Sequence, residues 1–169
     1  MHIFLTGEIQ IGKSTIINKV LRELGVIPGG FLTYYGCDRA CENRSLYICG
    51  AWESKCEIPT NQIVQFTNGI PAVNTDKFNT YGSQLIRESR KRSSIIIMDE
   101  CGTLESQALE FQAEVLDCLN GSIPVLGVIK KSERLVWTEQ IKSHPNVEVL
   151  FVDKSNRDQL PEEIIKQLK

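Results

Sequence analysis

A glycine-containing segment near the N-terminus constrains the fold of this chain more than any other feature. Residues 7–15 read GEIQIGKST, a complete GxxxxGK[ST] pattern, and they lie between the apolar run 1–6 and the helix-like segment 16–24. A loop between a strand and a helix brings many backbone N–H donors to one small volume, where the positive end of the helix also favours an anion. The alternative is a chance Gly-Lys-Ser at a helix start, but the preceding strand favours a phosphate-binding loop.

Each residue type in this loop has an expected role toward a nucleoside triphosphate. The two glycines let the backbone approach the phosphates, and Lys13 reaches the β- and γ-phosphates. The Ser14 hydroxyl is the expected ligand of the Mg²⁺ that bridges them. The nucleotide-binding residues predicted in the loop are Gly7, Glu8, Ile9, Gln10, Ile11, Gly12, Lys13, Ser14 and Thr15.

A second apolar run ends in two acidic residues. Residues 94–98 read SIIIM, and Asp99 and Glu100 follow them. Continuous apolar residues are typical of a strand buried on both faces of a parallel sheet, and ligands bind at the carboxyl end of such strands. Asp99 is predicted to hold Mg²⁺ together with Ser14, and Glu100 to orient a water for in-line attack on the γ-phosphate. Lys13 and Glu100 are therefore the predicted catalytic residues, although an apolar run before two acids is, alone, also typical of an ordinary strand end.

Composition and charge restrict the possible classes of function. The 169 residues suit a single domain spanning 1–169. Proteins that bind long nucleic acids usually have a basic surface, whereas this chain has a net charge of −2 and one basic cluster at 87–92. No apolar stretch approaches the ~20 residues of a membrane span, and the N-terminus lacks the features of a signal peptide. We therefore expect a cytoplasmic protein that binds neither membranes nor long nucleic acids.

Six cysteines, Cys37, Cys41, Cys49, Cys56, Cys101 and Cys118, are interpreted as thiols in a reducing compartment. Zinc binding is the alternative, but the chain contains no Cys-x-x-Cys spacing and no histidine near the cysteines at 37–56. We expect instead that the cysteines are small buried apolar side chains.

Strand-like and helix-like segments alternate along the rest of the chain. Predicted strands cover 31–35, 45–49, 94–98, 124–129 and 147–152, and predicted helices cover 75–90, 106–119, 135–141 and 161–168. The first of these helices is expected to be capped by Thr75 or Asn74 and the second by Ser106. The strands at 31–35 and 45–49 are expected to form an antiparallel hairpin, followed by a loop over 53–72. This order predicts a three-layer α/β fold with a mainly parallel sheet and an antiparallel hairpin insertion.

Four motifs resemble those of the small nucleoside-triphosphatases found in thermophiles and, in animals, of the cancer-related nucleoside-triphosphatase. They are GExxxGK[ST] at 7–14, GFLT at 30–33, DECG followed by an acid at 99–105, and NRD at 156–158. The resemblance covers nearly the whole chain. It implies a P-loop NTPase fold with an added strand between the phosphate loop and the strand ending in Asp99, and slow Mg²⁺-dependent hydrolysis of several nucleoside triphosphates.

The chain departs from that family at two places. Tyr34 and Tyr35 stand where acidic residues are usual, and Thr103 stands where a lysine is common. If that lysine neutralises charge on the transferred phosphate, this protein is expected to be slower or to use an arginine instead. Arg39 and Arg44 are the candidates, and their alternative role is that of solvated loop charges.

Two further sets of residues have alternative interpretations. Asn156 and Arg157 are predicted to contact the nucleobase, but Asn-Arg-Asp is also ordinary turn and cap chemistry. The aromatic residues Tyr34, Tyr35 and Trp52 either line a substrate cleft or pack the hairpin, and packing is favoured. The guanine-reading Asn-Lys-x-Asp pattern is absent from the sequence.

Three classes of function fit these residues: a nucleoside triphosphatase that hydrolyses ATP and other triphosphates, a nucleotide or small-molecule kinase, and a nucleotide-controlled binding module. The chemistry at the phosphate is nearly the same in the first two. The sequence shows no arginine-rich lid, which favours hydrolysis, and no long partner-binding extension, which disfavours the third class.

Overall fold

The computed structural model describes residues 1–131 and 135–168, and within them eight strands form one mixed sheet. The strands are β1 (His2–Gly7), β2 (Gly29–Tyr35), β3 (Ser45–Gly50), β4 (Gln62–Thr67), β5 (Ile70–Val73), β6 (Ile96–Cys101), β7 (Val125–Ile129) and β8 (Val147–Val152). Their order across the sheet is β5-β4-β3-β2-β6-β7-β1-β8. The pairs among β2, β6, β7, β1 and β8 are parallel, and β2 to β5 pair antiparallel. The predicted α/β fold is confirmed, including the added strand, β7, between β1 and β6.

The helices are α1 (Lys13–Leu24), α2 (Thr75–Lys77), α3 (Ser83–Arg92), α4 (Leu109–Leu119), α5 (Val136–Lys142) and α6 (Leu160–Leu168). A π-helical turn, Phe78–Gly82, joins α2 to α3. The Asn74 side chain accepts a hydrogen bond from the Lys77 N–H at 3.0 Å and so caps this segment, as the sequence predicts.

The start of α4 differs from the sequence prediction. The predicted helix begins at Ser106, whereas α4 begins at Leu109. The side chain of Asn79, in the π-helical turn, accepts hydrogen bonds from the Glu110 and Phe111 N–H groups, both at 3.1 Å. A side chain about thirty positions away therefore satisfies the free donors that a local cap usually satisfies.

The antiparallel part of the sheet is larger than predicted. Residues 53–72 were expected to be a loop, but they contain β4 and most of β5, so the insertion has more strands than a hairpin. The turn between β4 and β5 is Asn68-Gly69, with φ of 51° and 76°. Asn-Gly with positive φ at both residues is the preferred two-residue hairpin turn, so this dipeptide was the sequence signal that identifies the pair.

Apolar side chains pack on both faces of the sheet and create the three layers. On β1, Phe4 belongs to one core cluster, whereas Ile3 and Leu5 belong to the other. Helices α1 and α6 cover the second cluster, and α3, α4 and α5 cover the first. Because side chains alternate across a strand, β1 is buried from both sides.

Gly30 brings β2 close to its neighbours. Gly30 has a φ of +92°, and a Cβ at this position would lie 1.9 Å from the carbonyl oxygen of Ile97 in β6. The Gly30 N–H donates to the Ser89 hydroxyl of α3 at 2.6 Å. A larger residue at position 30 would separate β2 from β6, and the close approach aligns Leu32 with Asp99 in the parallel ladder.

The burial of the cysteines was predicted only in part. Cys49, Cys101 and Cys118 are buried, as expected, but Cys37, Cys41 and Cys56 are exposed, so that prediction is wrong for three of the six. The exposed cysteines lie in the segments between β2 and β4, outside the strands whose faces are covered by other elements.

The basic cluster at 87–92 lies at the end of α3 and is partly neutralised. Arg87 pairs with Glu114 at 2.5 Å, Arg90 with Asp117, and Arg92 with Glu88 at 3.2 Å. Within residues 1–131 and 135–168, no helix has both the length and the apolar character needed to cross a membrane.

Candidate active site

The predicted phosphate-binding loop connects β1 to α1. Gly12 precedes α1 with a φ of +113°, and Gly7 ends β1 with a φ of +153°. A Cβ at Gly7 would lie 2.5 Å from the carbonyl oxygen of Val152 in β8, so the chain needs glycine there for a close approach as well as for its φ.

The Lys13 side chain folds back over this loop. Its ammonium group donates hydrogen bonds to the carbonyl oxygens of Gly7 at 2.9 Å and Glu8 at 2.8 Å. Burial lowers the pKa of Lys13, and the nearby charges of Glu100 and Asp99 oppose this shift. Lys13 therefore lies where a phosphate between the loop and β6 would meet it.

The carboxyl end of β6 carries Asp99 and Glu100, and the ladder is irregular there. Pairing with β7 shifts register between Met98 and Cys101, so the two acids lie at the break in the ladder. On the other side of β6, the Thr33 hydroxyl donates to the Asp99 carbonyl oxygen at 2.9 Å. This contact fixes the backbone of Asp99 from β2.

Burial raises the pKa of both of these carboxyl groups. It raises the pKa of Asp99 to about 6, with a further increase from the charge of Glu100 and opposing effects of Lys55 and Lys13. Burial also raises the pKa of Glu100, against the effects of Lys130 and Lys13. A partly buried carboxylate that lacks solvation is stabilised by a cation, and carboxylate and hydroxyl oxygens are ligands that Mg²⁺ accepts. The donor set of Asp99 and Ser14 therefore fits a hard divalent cation.

The segment after Glu100 is held by side chains that were not predicted to belong to the site. The buried Glu105 carboxylate accepts a hydrogen bond from the Gly102 N–H at 2.8 Å, and the Trp137 indole donates to the Gly102 carbonyl at 3.1 Å. The Gln112 side chain donates to the Glu105 carbonyl at 2.7 Å. Burial raises the pKa of Glu105 to about 7, although the Gly102 N–H lowers it. The acid in DECG-x-x-E was visible in the sequence, but its inward orientation was not.

A cavity of about 140 Å³ opens beside Glu100. It is lined by Glu100, residues 102–105, Lys130, and Thr33, Tyr35 and Leu46 of the antiparallel part of the sheet. Lys130 was missed because it is a single lysine after an apolar strand. The signal that identifies it is its position directly after β7, at the edge of the sheet where Asp99 and Glu100 lie.

Asn156 and Arg157, the two residues predicted to contact the base, have different surroundings in the loop after β8. The Asn156 amide donates to the Phe151 carbonyl at 2.8 Å and accepts from the Asp153 N–H at 3.0 Å, which is turn chemistry. Arg157 instead lines a cleft of about 200 Å³ that opens at Gly12 and Thr15 of the phosphate-binding loop. The fold thus brings Arg157 to the loop and leaves the Asn156 amide in its own turn.

The arginine and aromatic candidates of the antiparallel region mostly contact one another. The Arg44 guanidinium lies over the rings of Phe66, at 4.6 Å, and Tyr35, at 5.4 Å. Tyr34 stacks on Tyr47 at 5.8 Å. Trp52 packs beneath Arg92 at 4.6 Å, whereas Tyr35 also reaches the cavity beside Glu100. Arg39 is exposed, and Glu8 in the phosphate-binding loop pairs with Lys131.

Replacement of Glu105 by glutamine is expected to reduce the pH dependence of stability. The folded-state pKa of Glu105, about 7, lies above the ordinary glutamate value of 4.5. The folded state therefore binds more protons between these values, and unfolding free energy falls as pH rises through this window. Glu105→Gln stays neutral and keeps an oxygen for the Gly102 N–H. We expect it to melt several degrees above the parent at pH 8 and near the parent at pH 4.5, since about 1 kcal/mol shifts Tm by about 2–4 °C in a domain of this size.

Melting temperatures of parent and variant between pH 4.5 and 8 measure this effect. Glu23→Gln, at an exposed position near the end of α1, is the control and should follow the parent. Parallel curves for the parent and Glu105→Gln would contradict the titration of Glu105.

The chain is similar to known proteins over nearly its whole length. The chain is 25% identical to nucleoside-triphosphatase THEP1 of Methanocaldococcus jannaschii over 181 residues, covering 99% of the chain and 97% of the relative. It is 29% identical over 184 residues to the cancer-related nucleoside-triphosphatase homolog of Bos taurus, covering 99% and 96%. The crystal structure of Aquifex aeolicus THEP1 has the same fold, with a TM-score of 0.77, 21% identity and coverage of 100% and 99%. The NTPase family model matches residues 2–165, and the chain belongs to that family.

Proposed function

We propose that this chain, acting as one domain over residues 1–169, is a Mg²⁺-dependent nucleoside triphosphatase that hydrolyses the γ-phosphate of ATP and of other nucleoside triphosphates. The observation that carries the proposal is the placement of Lys13 at the start of α1 and of Asp99 and Glu100 at the end of β6, close enough for both carboxyl groups to affect the pKa of Lys13. Relatives named nucleoside-triphosphatase support the same reaction class.

The phosphate-binding loop supplies most of the binding. Its backbone N–H groups and the start of α1 favour a polyphosphate. When a nucleotide enters, the Lys13 ammonium exchanges the carbonyl oxygens of Gly7 and Glu8 for β- and γ-phosphate oxygens, which are stronger acceptors because they are charged. Lys13 thereby offsets charge on the phosphate that is transferred.

Ser14 and Asp99 are the residues that would hold Mg²⁺. The ion supplies positive charge to the β- and γ-phosphate oxygens when it is bound. Asp99 is suited to this role because burial and the neighbouring Glu100 disfavour its charge in the absence of a cation.

Glu100 would orient the attacking water. The transition state of phosphoryl transfer is loose, so the side chain contributes chiefly by alignment of the water with the phosphorus and the leaving oxygen. Glu100 lines a cavity of about 140 Å³, which is large enough to hold water. The segment that follows it is held by Glu105 and Trp137 through Gly102, which limits the movement of Glu100.

Phosphate release from a panel of nucleoside triphosphates tests the proposed activity. We expect release with Mg²⁺ and none with a chelator, and we expect Lys13→Ala to lose most triphosphate affinity and measurable turnover with an unchanged melting temperature. Mass analysis of products formed with nucleosides and nucleotides added as acceptors distinguishes hydrolysis from kinase activity. Full turnover in Lys13→Ala, or a phosphorylated acceptor without hydrolysis, would refute the proposal.

Replacement of Glu100 by glutamine separates catalysis from binding. Glu100→Gln keeps the size of the side chain and one oxygen, so we expect near-parental affinity for Mg²⁺-ATP and hydrolysis reduced by about 10²-fold or more, the scale of a positioned acid–base group. Equilibrium binding and single-turnover hydrolysis measure the two effects. Glu110→Gln, exposed on α4, is the control. Turnover within a few-fold of the parent would mean that another group places the water.

Arg157 would stack on the nucleobase in the cleft beside Gly12 and Thr15. We expect Arg157→Ala to weaken the binding of ATP by roughly 3- to 30-fold, the range of a cation–π contact, and to leave the binding of inorganic triphosphate unchanged because that ligand has no base. Arg22→Ala, exposed in the last turn of α1, is the control. Equal weakening for both ligands would assign Arg157 to the phosphates. The Asn156 amide is proposed as a secondary contact, since its turn must rearrange first.

The proposed location is the cytoplasm, with a nucleoside triphosphate as the partner and no long nucleic acid. Six free thiols suit a reducing compartment. The pairing of Arg87, Arg90 and Arg92 with acidic side chains leaves little uncompensated positive charge at the basic cluster.

A further inference from the structure

Lys130 lies directly after β7 and is tied to the end of β6. Its backbone N–H donates to the Cys101 carbonyl oxygen at 3.0 Å. A Cβ built on Gly102 would lie 3.2 Å from Lys130 Cβ, 3.3 Å from Lys130 Cδ and 3.8 Å from Glu100 Oε1. The aliphatic part of Lys130 therefore passes over the bare backbone of Gly102, and Glu100 lies on the same side.

Gly102 cannot move easily to change this arrangement. Its N–H is bonded to the buried Glu105 carboxylate, and its carbonyl is bonded to the buried Trp137 indole. The absence of a side chain at Gly102 leaves a path for Lys130, and the two hydrogen bonds keep that path open. Glycine at this position thus brings together an acid and a lysine that are thirty residues apart in the sequence.

Lys130 provides the positive charge in a cavity whose other described side chains are acidic or uncharged. Glu100 and Glu105 both line it, and among its described lining residues Lys130 is the one with a positive charge. Lys13 also acts on Glu100, but in the proposed reaction its ammonium moves to the phosphates. Lys130 is then the cation that remains beside Glu100 on the protein side.

We propose that Lys130 is a positioning residue for Glu100, which holds the carboxylate in the orientation that aligns the attacking water. The inference rests on the proposed nucleoside triphosphatase activity. Lys130 also supplies the positive charge for which Arg39 and Arg44 were the candidates. Thr103 and Lys130 line the same cavity, so the positive charge enters from the end of β7. Arg44, the alternative, stacks on Phe66 and Tyr35.

A double-mutant cycle with Glu100 tests this role. Lys130→Met keeps the aliphatic stem and removes the charge, and we expect kcat to fall about 10-fold with KM and ATP affinity unchanged. In the Glu100→Gln background the same replacement should change the residual rate by less than 2-fold, because the group that Lys130 positions is already lost. Lys91→Met, exposed on α3, is the matched control and should leave kcat unchanged.

Two rescue variants separate a charge effect from a packing effect. Lys130→Arg should retain most of kcat, and Lys130→Met combined with Thr103→Lys should recover part of it, since the second lysine faces the same cavity. Thr103→Lys alone provides the reference rate. If Lys130→Met does not fold, Lys130→Gln replaces it in the cycle, and melting temperatures accompany every variant.

These measurements distinguish a failure of the proposed activity from a failure of the role of Lys130. A parent that releases no phosphate overturns both the proposed activity and this role. In an active parent, a kcat for Lys130→Met within 2-fold of the parent, or the same fold loss in both backgrounds, overturns the role of Lys130 alone. A raised KM with unchanged kcat also overturns it, because Lys130 would then bind substrate directly.

Discussion

Parallel pairing of β7 with both β1 and β6 is the constraint on which the site depends. Leu126 of β7 aligns with Ile3 of β1 and with Ile97 of β6, so the three strands end at the same edge of the sheet. That edge receives the phosphate-binding loop after β1, Asp99 and Glu100 at the end of β6, and Lys130 after β7. A shift of β7 by one residue would turn its side chains to the opposite faces and separate these groups.

The cost of this arrangement is the burial of three carboxyl groups within seven positions, complete at Glu105 and partial at Asp99 and Glu100. Asp99, Glu100 and Glu105 all have raised pKa values, because burial disfavours the charged form. Structural contacts offset part of that cost, through the Gly102 N–H at Glu105 and the charges of Lys13 and Lys130 near Glu100. The proposed Mg²⁺ and polyphosphate would bring opposite charges to this site and so complete the electrostatic balance.

Local patterns predicted most elements but missed β4, β5 and the true start of α4. The GxxxxGK[ST] pattern and the apolar run before Asp99 identified β1, α1 and β6, because their signals lie within a few residues. The strand β5 has only four residues and contains Pro71, and Asn68-Gly69 was the local signal for the pair of β4 and β5. The first turn of α4 is satisfied by Asn79, about thirty positions away, so a local cap at Ser106 was the wrong expectation.

The sequence by itself determined the α/β class, the phosphate-binding loop and the two acids after the second buried strand, because each depends on residue types at fixed local spacing. Only the tertiary structure decided which other side chains reach them. Lys130 lines the same cavity as Glu100 because β7 pairs with β6 and because Gly102 has no side chain between them, and a local sequence pattern shows neither of these. Likewise Arg157 reaches the loop and the Asn156 amide does not, since one residue faces the cleft and the other closes its own turn. Contacts between distant segments are set by packing of the whole chain, and this part of the site therefore became visible only in three dimensions.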